Sequence, residues 1–443
     1  MTLVLALVLL ACLPVLISLF RQKEQNRLYG VAAVGILLLA PDLSMNGFLY
    51  GWPAWKGTSL GLSVSPLTVI ALSLLVTHRK TRGKLSFWPL FAFYGLTLVL
   101  SIIPSAQKIG TVFTWWQFAS VLVIFAAIAS ECHRSETRNY LAYGLSIGLV
   151  YQAGQVVWQK ASGVVQAAGT FGHQNILGLA IELSVVPLIA LILSGNKSPL
   201  LKVGVVAALV CVGGSGSRAT VAIAGAAIVL LLVLSVFLRS TPRKMNIVGF
   251  AFVGLLVATP LALGTLNQRF GDTQITTEDA GRDSMERTAT LMANDHPFGV
   301  GANQYVPTSI HGGYADRAGM SWMWTIRNKP VHNAYMLARA ETGYIGQAAF
   351  FLMLVVPIIA AFRLAFRNRR NGIGELALGS AVALTANALH NNYEFAAHLA
   401  TIQPLIFLNI GIVAALIRQE AMARSAARRK ARKRTEELEP APA

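Results

Sequence analysis

The sequence predicts an all-α fold: a polytopic membrane helix bundle of about 12–13 transmembrane helices, with one large extracytoplasmic loop containing short helices. Three observations carry that prediction. First, 54% of the 443 residues are hydrophobic and 13% are charged, unlike a soluble domain. Second, apolar runs of about 16–22 residues recur along the chain, each long enough to cross a hydrocarbon core of about 30 Å as a helix. They are apolar all round, whereas a membrane β-barrel alternates polarity within segments of about ten residues. Third, the basic residues fall in alternate connections.

The spans, in order, are 2–20, 28–44, 60–77, 86–104, 111–130, 139–159, 174–194, 199–214, 218–238, 246–264, 342–362, 374–391 and 400–417. The first has no basic residue before it and Arg21, Lys23 and Arg27 after it. It reads as an N-out helix rather than a signal peptide, which needs a basic start. The same side then receives Arg79, Lys80, Arg82, Lys84, Arg134, Arg138, Lys197, Lys202, Arg239, Arg243 and Lys244, and later Arg363, Arg367, Arg369 and Arg370. The short connections opposite hold little more than Lys56, Lys108, Lys160 and Arg218. The positive-inside rule makes the first side cytoplasmic. Topology, not nucleic-acid binding, thus accounts for the net charge of +18.

Four segments follow: an N-terminal membrane bundle of about ten helices at 1–264, an extracytoplasmic loop at 265–330, C-terminal membrane helices at 331–418 and a basic cytoplasmic tail at 419–443. The tail reads as a solvated, partly helical segment near anionic lipid. The loop holds six basic and seven acidic residues, and such an insertion is usually functional or disordered. Its stretch "GRDSMERTATLMANDHPFGVGANQY" predicts a helix over 281–294 and then a Pro/Gly turn, so it reads as ordered.

Polar groups gather on the outer face from five segments. They are His173 and Asn175 in "GTFGHQNILG", Arg218 in "GGSGSRAT", Arg282 and Arg287 in the loop helix, His332, Asn333, Tyr335, Arg339 and Glu341 in "VHNAYMLARAETG", and His390 and Glu394 in "ALHNNYEF". Arg218 follows a Gly/Ser turn that exposes backbone N–H groups at a helix N-terminus, an anion site by geometry. A guanidinium grips phosphate oxygens through its fork. The bland alternative is a snorkelling anchor. His332 is either a satisfied structural group or, beside arginines that disfavour the imidazolium, a neutral base. Asn333 and Tyr335 can orient substrate hydroxyls. Tyr335 and Arg339 share a helix face, and Glu341 does not pair with His332 by spacing. Asp-x-Asp, His-Glu-x-x-His and Cys/His metal patterns are all missing from the sequence, and Cys12, Cys132 and Cys211 read as buried filler. Asp42 marks the end of the second helix, and Glu182 is the one deeply placed acid.

"VHNAYMLARAETGYIG" resembles the His-Asn-x-Tyr-Leu…Glu-x-Gly-x-x-Gly signature of the O-antigen ligase superfamily, with Met336 where leucine is usual. "GRDSMERTATLMANDHPFGVGANQY" is similar to that family's Arg-x-x-x-Trp…His-Pro-x-Gly-Val-Gly stretch, with Glu286 in the tryptophan's place. "GSGSRAT" resembles its Ser-Arg turn and "GTFGHQNILG" its outer Asn motif; together they cover roughly 165–395. The resemblance implies a metal-independent glycosyltransferase of the bacterial inner membrane, with its active site on the periplasmic face and no cofactor. Its implied partners are a polyprenyl-pyrophosphate-linked glycan donor, a glycan or glycolipid acceptor, and membrane lipid, with no nucleic acid. Arg218 and Arg282 would clamp the pyrophosphate and His332 would activate the acceptor, Arg287 replacing Arg282 if the loop helix faces the other way. His173, Asn175, Asn333, Tyr335, Arg339, Glu341 and His390 complete the expected substrate site. Ligase and polymerase are both open. The family usually has twelve spans with both termini inside, one fewer than the list above.

Two other classes remain. A secondary transporter or flippase for a lipid-linked or anionic substrate predicts inverted repeats and polar groups at mid-membrane. No repeat is evident, and Glu182 is the main deep polar group. A structural assembly subunit leaves "GSGSR" and "VHNAY" without a reason.

Overall fold

The computed structural model describes residues 2–78, 85–249 and 274–438. The basic run Arg79–Lys84, most of the 246–264 span, the start of the long loop and the last residues of the tail lie outside the described residues. The helices are α1 (Thr2–Gln22), α2 (Glu24–Leu38), α3 (Pro66–Thr77), α4 (Trp88–Leu100), α5 (Lys108–Glu131), α6 (Ser135–Ala161), α7 (Gln174–Leu193), α8 (Pro199–Ser215) and α9 (Arg218–Leu238). Then come α10 (Gln274–Asp295), α11 (Tyr305–His311), α12 (Tyr314–Arg317), α13 (Trp324–Arg327), α14 (Ala334–Arg367), α15 (Gly372–His390) and α16 (Gln403–Leu438).

Among the described residues, seven helices are long and apolar enough to cross a bilayer: α1, α5, α7, α9, α14, α15 and α16. α3, α4 and α8 are shorter apolar helices. The fold is the expected all-α polytopic membrane bundle. Burial sorts its helices. The apolar window of α7 is 83% buried and that of α16 is 78%, against 11% for α1 and 28% for α9. The first two form the centre, and the last two face outward.

The ends of the elements follow local chemistry. Ser65 caps α3, accepting the Thr68 N–H at 3.0 Å, with Pro66 in the first turn. Gly216, at φ 61°, ends α8 in the left-handed conformation, and Ser217 immediately caps α9. Three expectations are corrected. The 28–44 span is helical only to Leu38, and the 60–77 span only from Pro66. Between them lies an antiparallel hairpin, β1 (Gly47–Gly51) and β2 (Gly61–Val64); its second strand falls inside the 60–77 run, and residues 39–44 at the end of the first run form turns. The 342–362 span starts earlier, at Ala334, because Asn333 Oδ1 accepts the N–H groups of Tyr335 and Met336, each at 3.1 Å. The tail helix is continuous with α16 as far as Leu438.

The described part of the loop is a folded unit. Met285, Met292, Tyr305, Tyr314 and Val331 form a small core over Leu337 and Ala340 of α14. α14 is broken at Gly343 (φ 72°), and the loop completes the break. Val300 N–H donates to the Ala340 carbonyl at 3.0 Å, and Gly301 N–H to the Glu341 carbonyl at 2.9 Å. In return, Tyr344 N–H donates to the Pro297 carbonyl at 3.2 Å. The backbone groups that a helix break orphans are thus paired. Beyond the splice, Asn303 donates to the Ser59 and Gly110 carbonyls at 2.7 and 2.9 Å, and Gln304 to the Gln107 carbonyl at 2.8 Å. The loop is therefore fastened to both halves of the chain. A Cβ at Gly343 would lie 2.4 Å from the Pro297 oxygen. Gly343→Ala is expected to cost at least about 1–2 kcal/mol from the left-handed backbone alone, read as a lowered melting temperature in detergent. An unchanged melt would show that the splice is dispensable.

Candidate functional site

The site lies where α7, α9, α10, α14 and the 391–398 turn meet. It is built from a relay of three hydrogen bonds. Ser217 Oγ donates to Asn175 Oδ1 at 2.6 Å, Asn175 Nδ2 donates to Glu394 Oε1 at 2.7 Å, and Glu394 Oε2 faces His332 Nδ1 at 3.1 Å. The start of α9, which carries Arg218, is thereby tied to His332, 114 positions away in the sequence. The turn holding Glu394 is fixed too: Ala334 N–H donates to the Asn391 and Glu394 carbonyls at 2.9 and 3.0 Å. His398 Nε2 lies 3.0 Å from the Ala334 carbonyl.

The electrostatics point the same way. Burial pushes the Glu394 carboxyl up, but the His332 and Asn175 hydrogen bonds and the nearby histidines outweigh it and hold the group at about 2. Burial pushes the His173 imidazole down. Glu394 opposes that, and His332, Lys329 and Arg282 add to it. Glu394, His332, Lys329 and Arg282 therefore all act on His173. Because Glu394 is depressed from 4.5 to about 2, its stabilisation is present above pH 4.5 and is lost as pH falls through 2. The melting-temperature gap between wild type and Glu394→Gln should accordingly narrow across that interval. A gap that stays constant would mean that the carboxylate is not what holds the turn.

The expected residues separate into two groups. His173, Asn175, Arg282 and His332 come together, and Arg218 is the first residue of α9, directly after Ser217 of the relay. On α10 one stripe faces α14: Glu286 Oε1 accepts from Asn333 Nδ2 at 3.4 Å and Thr290 Oγ1 from Arg339 at 3.2 Å. Arg282, four residues before Glu286, shares that stripe. Arg287 does not; it is exposed and its Nε donates to the Ala318 carbonyl at 3.3 Å.

The other expected contacts are engaged elsewhere. Glu341 is 5% exposed and accepts the Tyr305 N–H at 3.1 Å, so it braces the loop. The Tyr335 hydroxyl donates to the Ala388 carbonyl at 2.8 Å. Asn333 caps α14, and Arg339 lies 5.8 Å from the Tyr344 ring. His390 is fully buried against Glu182, Nδ1 to Oε1 3.1 Å, inside the bundle rather than on the site's surface. The group facing His332 Nδ1 is the Glu394 carboxylate, where the sequence suggested arginines.

Sequence reasoning missed the roles of Ser217 and Glu394. The signal for Glu394 is an acid four positions after His390, just past two asparagines; for Ser217, it is a serine directly before a helix start. Among the described residues, no group of three or more His, Cys, Asp and Glu side chains is arranged as metal ligands would be.

Fold and site together define a multi-pass membrane protein with a cluster of charged and hydrogen-bonding groups beneath a docked loop. Residues 183–351 match the family model described as O-antigen ligase. That match runs from α7 through the loop into α14 and supports a likeness to the O-antigen ligase superfamily, a family of membrane enzymes of the ligase and polymerase type. Arg218, Arg282 and His332 fall inside the matched segment; His173, Asn175 and Glu394 fall outside it. No curated protein matches the chain.

Proposed function

We propose that this chain moves a glycan from a polyprenyl-pyrophosphate carrier to an acceptor hydroxyl, without a metal ion, on the periplasmic face of the bacterial inner membrane. The observation that carries the reading is the Ser217–Asn175–Glu394–His332 relay, which joins a base to the helix start bearing Arg218. With Nδ1–H donating to Glu394, His332 keeps the Nε2 lone pair for the acceptor hydroxyl's proton. The hydroxyl oxygen bonds to the sugar C1 as the C1–O bond to the pyrophosphate breaks, and the electron pair leaves on the diphosphate. Arg218 and Arg282 meet the developing charge, the part a metal would otherwise play. Direct displacement inverts the configuration at C1. The basic residues of the alternate connections, among them Arg27, Arg134, Lys244 and Arg367, support that choice of face.

The test uses purified full-length protein, a polyprenyl-pyrophosphate glycan, candidate acceptors and EDTA. Transfer with inversion is expected. Transfer that needs Mg²⁺, or a product of retained configuration, would count against the reading. Ligase and polymerase separate in the same assay by whether a glycolipid core or the growing glycan accepts.

A further inference from the structure

Ten positions before His332, an aromatic ring stands out of the loop already held in place. Trp322 is 80% exposed, and the Arg327 guanidinium lies 3.7 Å from its ring centroid. Arg327 is 7% exposed and anchored three ways. It donates to the Met320 carbonyl at 3.0 Å, the Ser321 carbonyl at 3.1 Å and Asp316 Oδ1 at 2.6 Å. One face of the indole is thus seated on a fixed cation, and the other is open. The carboxylate on the same guanidinium keeps half its surface, 51%, exposed.

A flat aromatic face beside an exposed carboxylate has the chemistry that a sugar ring requires. The ring's C–H face packs on the indole and its hydroxyls donate to carboxylate oxygens. The carboxylate argues against an anionic lipid surface as the occupant. The chain from Arg327 to His332 spans at most about 17 Å, within reach of a glycan several sugars long whose first sugar sits at His332. We propose that Trp322, with Asp316 and Arg327, forms a subsite for a sugar of the glycan beyond the reacting one. The proposal rests on the glycan-transfer reading and names where that substrate is gripped.

The experiment measures transfer kinetics with a multi-sugar lipid-linked glycan, and binding of the matching soluble oligosaccharide by saturation-transfer NMR. Trp322→Ala should raise KM roughly five- to tenfold with kcat little changed, and Trp322→Phe should recover part of it. Oligosaccharide binding should weaken in parallel. An unchanged KM and unchanged binding would overturn the subsite. So would quenching of Trp322 fluorescence by brominated lipids, read as the difference between wild type and Trp322→Phe, because it would put the ring in the membrane interface. If wild type transfers nothing, the reaction fails; Trp322-dependent oligosaccharide binding then still supports the subsite, and its absence overturns that as well.

Discussion

Replacing His332 with alanine should lower kcat for glycan transfer by about 10²–10⁴, the usual worth of a positioned base. Little of that loss should be structural. The imidazole is 16% exposed, and the cap and anchors of α14 come from Asn333 and from the Ala334 N–H. Glu394→Gln should lose less, since an amide can still accept from Nδ1 but no longer stabilises the charge that His332 acquires with the proton. Asn175→Ala should behave like Glu394→Gln, because it removes the donor on the carboxylate's other oxygen. Rates are measured at saturating donor, with a melting curve for each variant. His332→Ala activity within a factor of about three of wild type would remove the base from the mechanism and leave the relay a purely structural feature.

Arg218→Ala and Arg282→Ala should each cost about 10²–10³ in kcat, the effect of removing one fixed donor from a developing anion. Arg287→Ala should stay close to wild type. The contrast is the informative part, because the two loop arginines lie five positions apart on the same helix and differ mainly in the direction they face. Arg287 is committed to the Ala318 carbonyl, whereas Arg282 belongs to the stripe that meets α14 and lies in the field of His173. A conservative Arg282→Lys keeps the charge and loses the fork, so partial activity there would separate electrostatics from bidentate grip. Equal losses at 282 and 287 would mean that the loop turns differently when substrate is bound.

Much of this was legible in the sequence. Apolar runs and alternating basic connections gave the membrane bundle, because span length and charge placement are set by the bilayer itself. The helical part of the loop was legible in the stretch before its Pro/Gly turn, although the helix begins at Gln274 rather than at 281. Hydropathy could not show that residues 47–64 hold a hairpin, since its second strand reads as the start of the 60–77 run. Nor could spacing show that Glu341 faces the loop while Glu394 faces His332. Both are acids near a helix end, and only the tertiary arrangement of α14 against the 391–398 turn distinguishes them. His390 misled for the same reason: it reads as a boundary residue but points inward to Glu182.

The shared backbone at Gly343 limits how this protein can admit anything as bulky as the proposed lipid-borne oligosaccharide. Lifting residues 297–301 away would strand two carbonyls and an amide, at about 1–3 kcal/mol apiece where water cannot replace them. Gating by wholesale removal of the extramembrane cap is therefore disfavoured. Entry has to come sideways, from the lipid phase, past whatever remains free to shift once that seam stays shut.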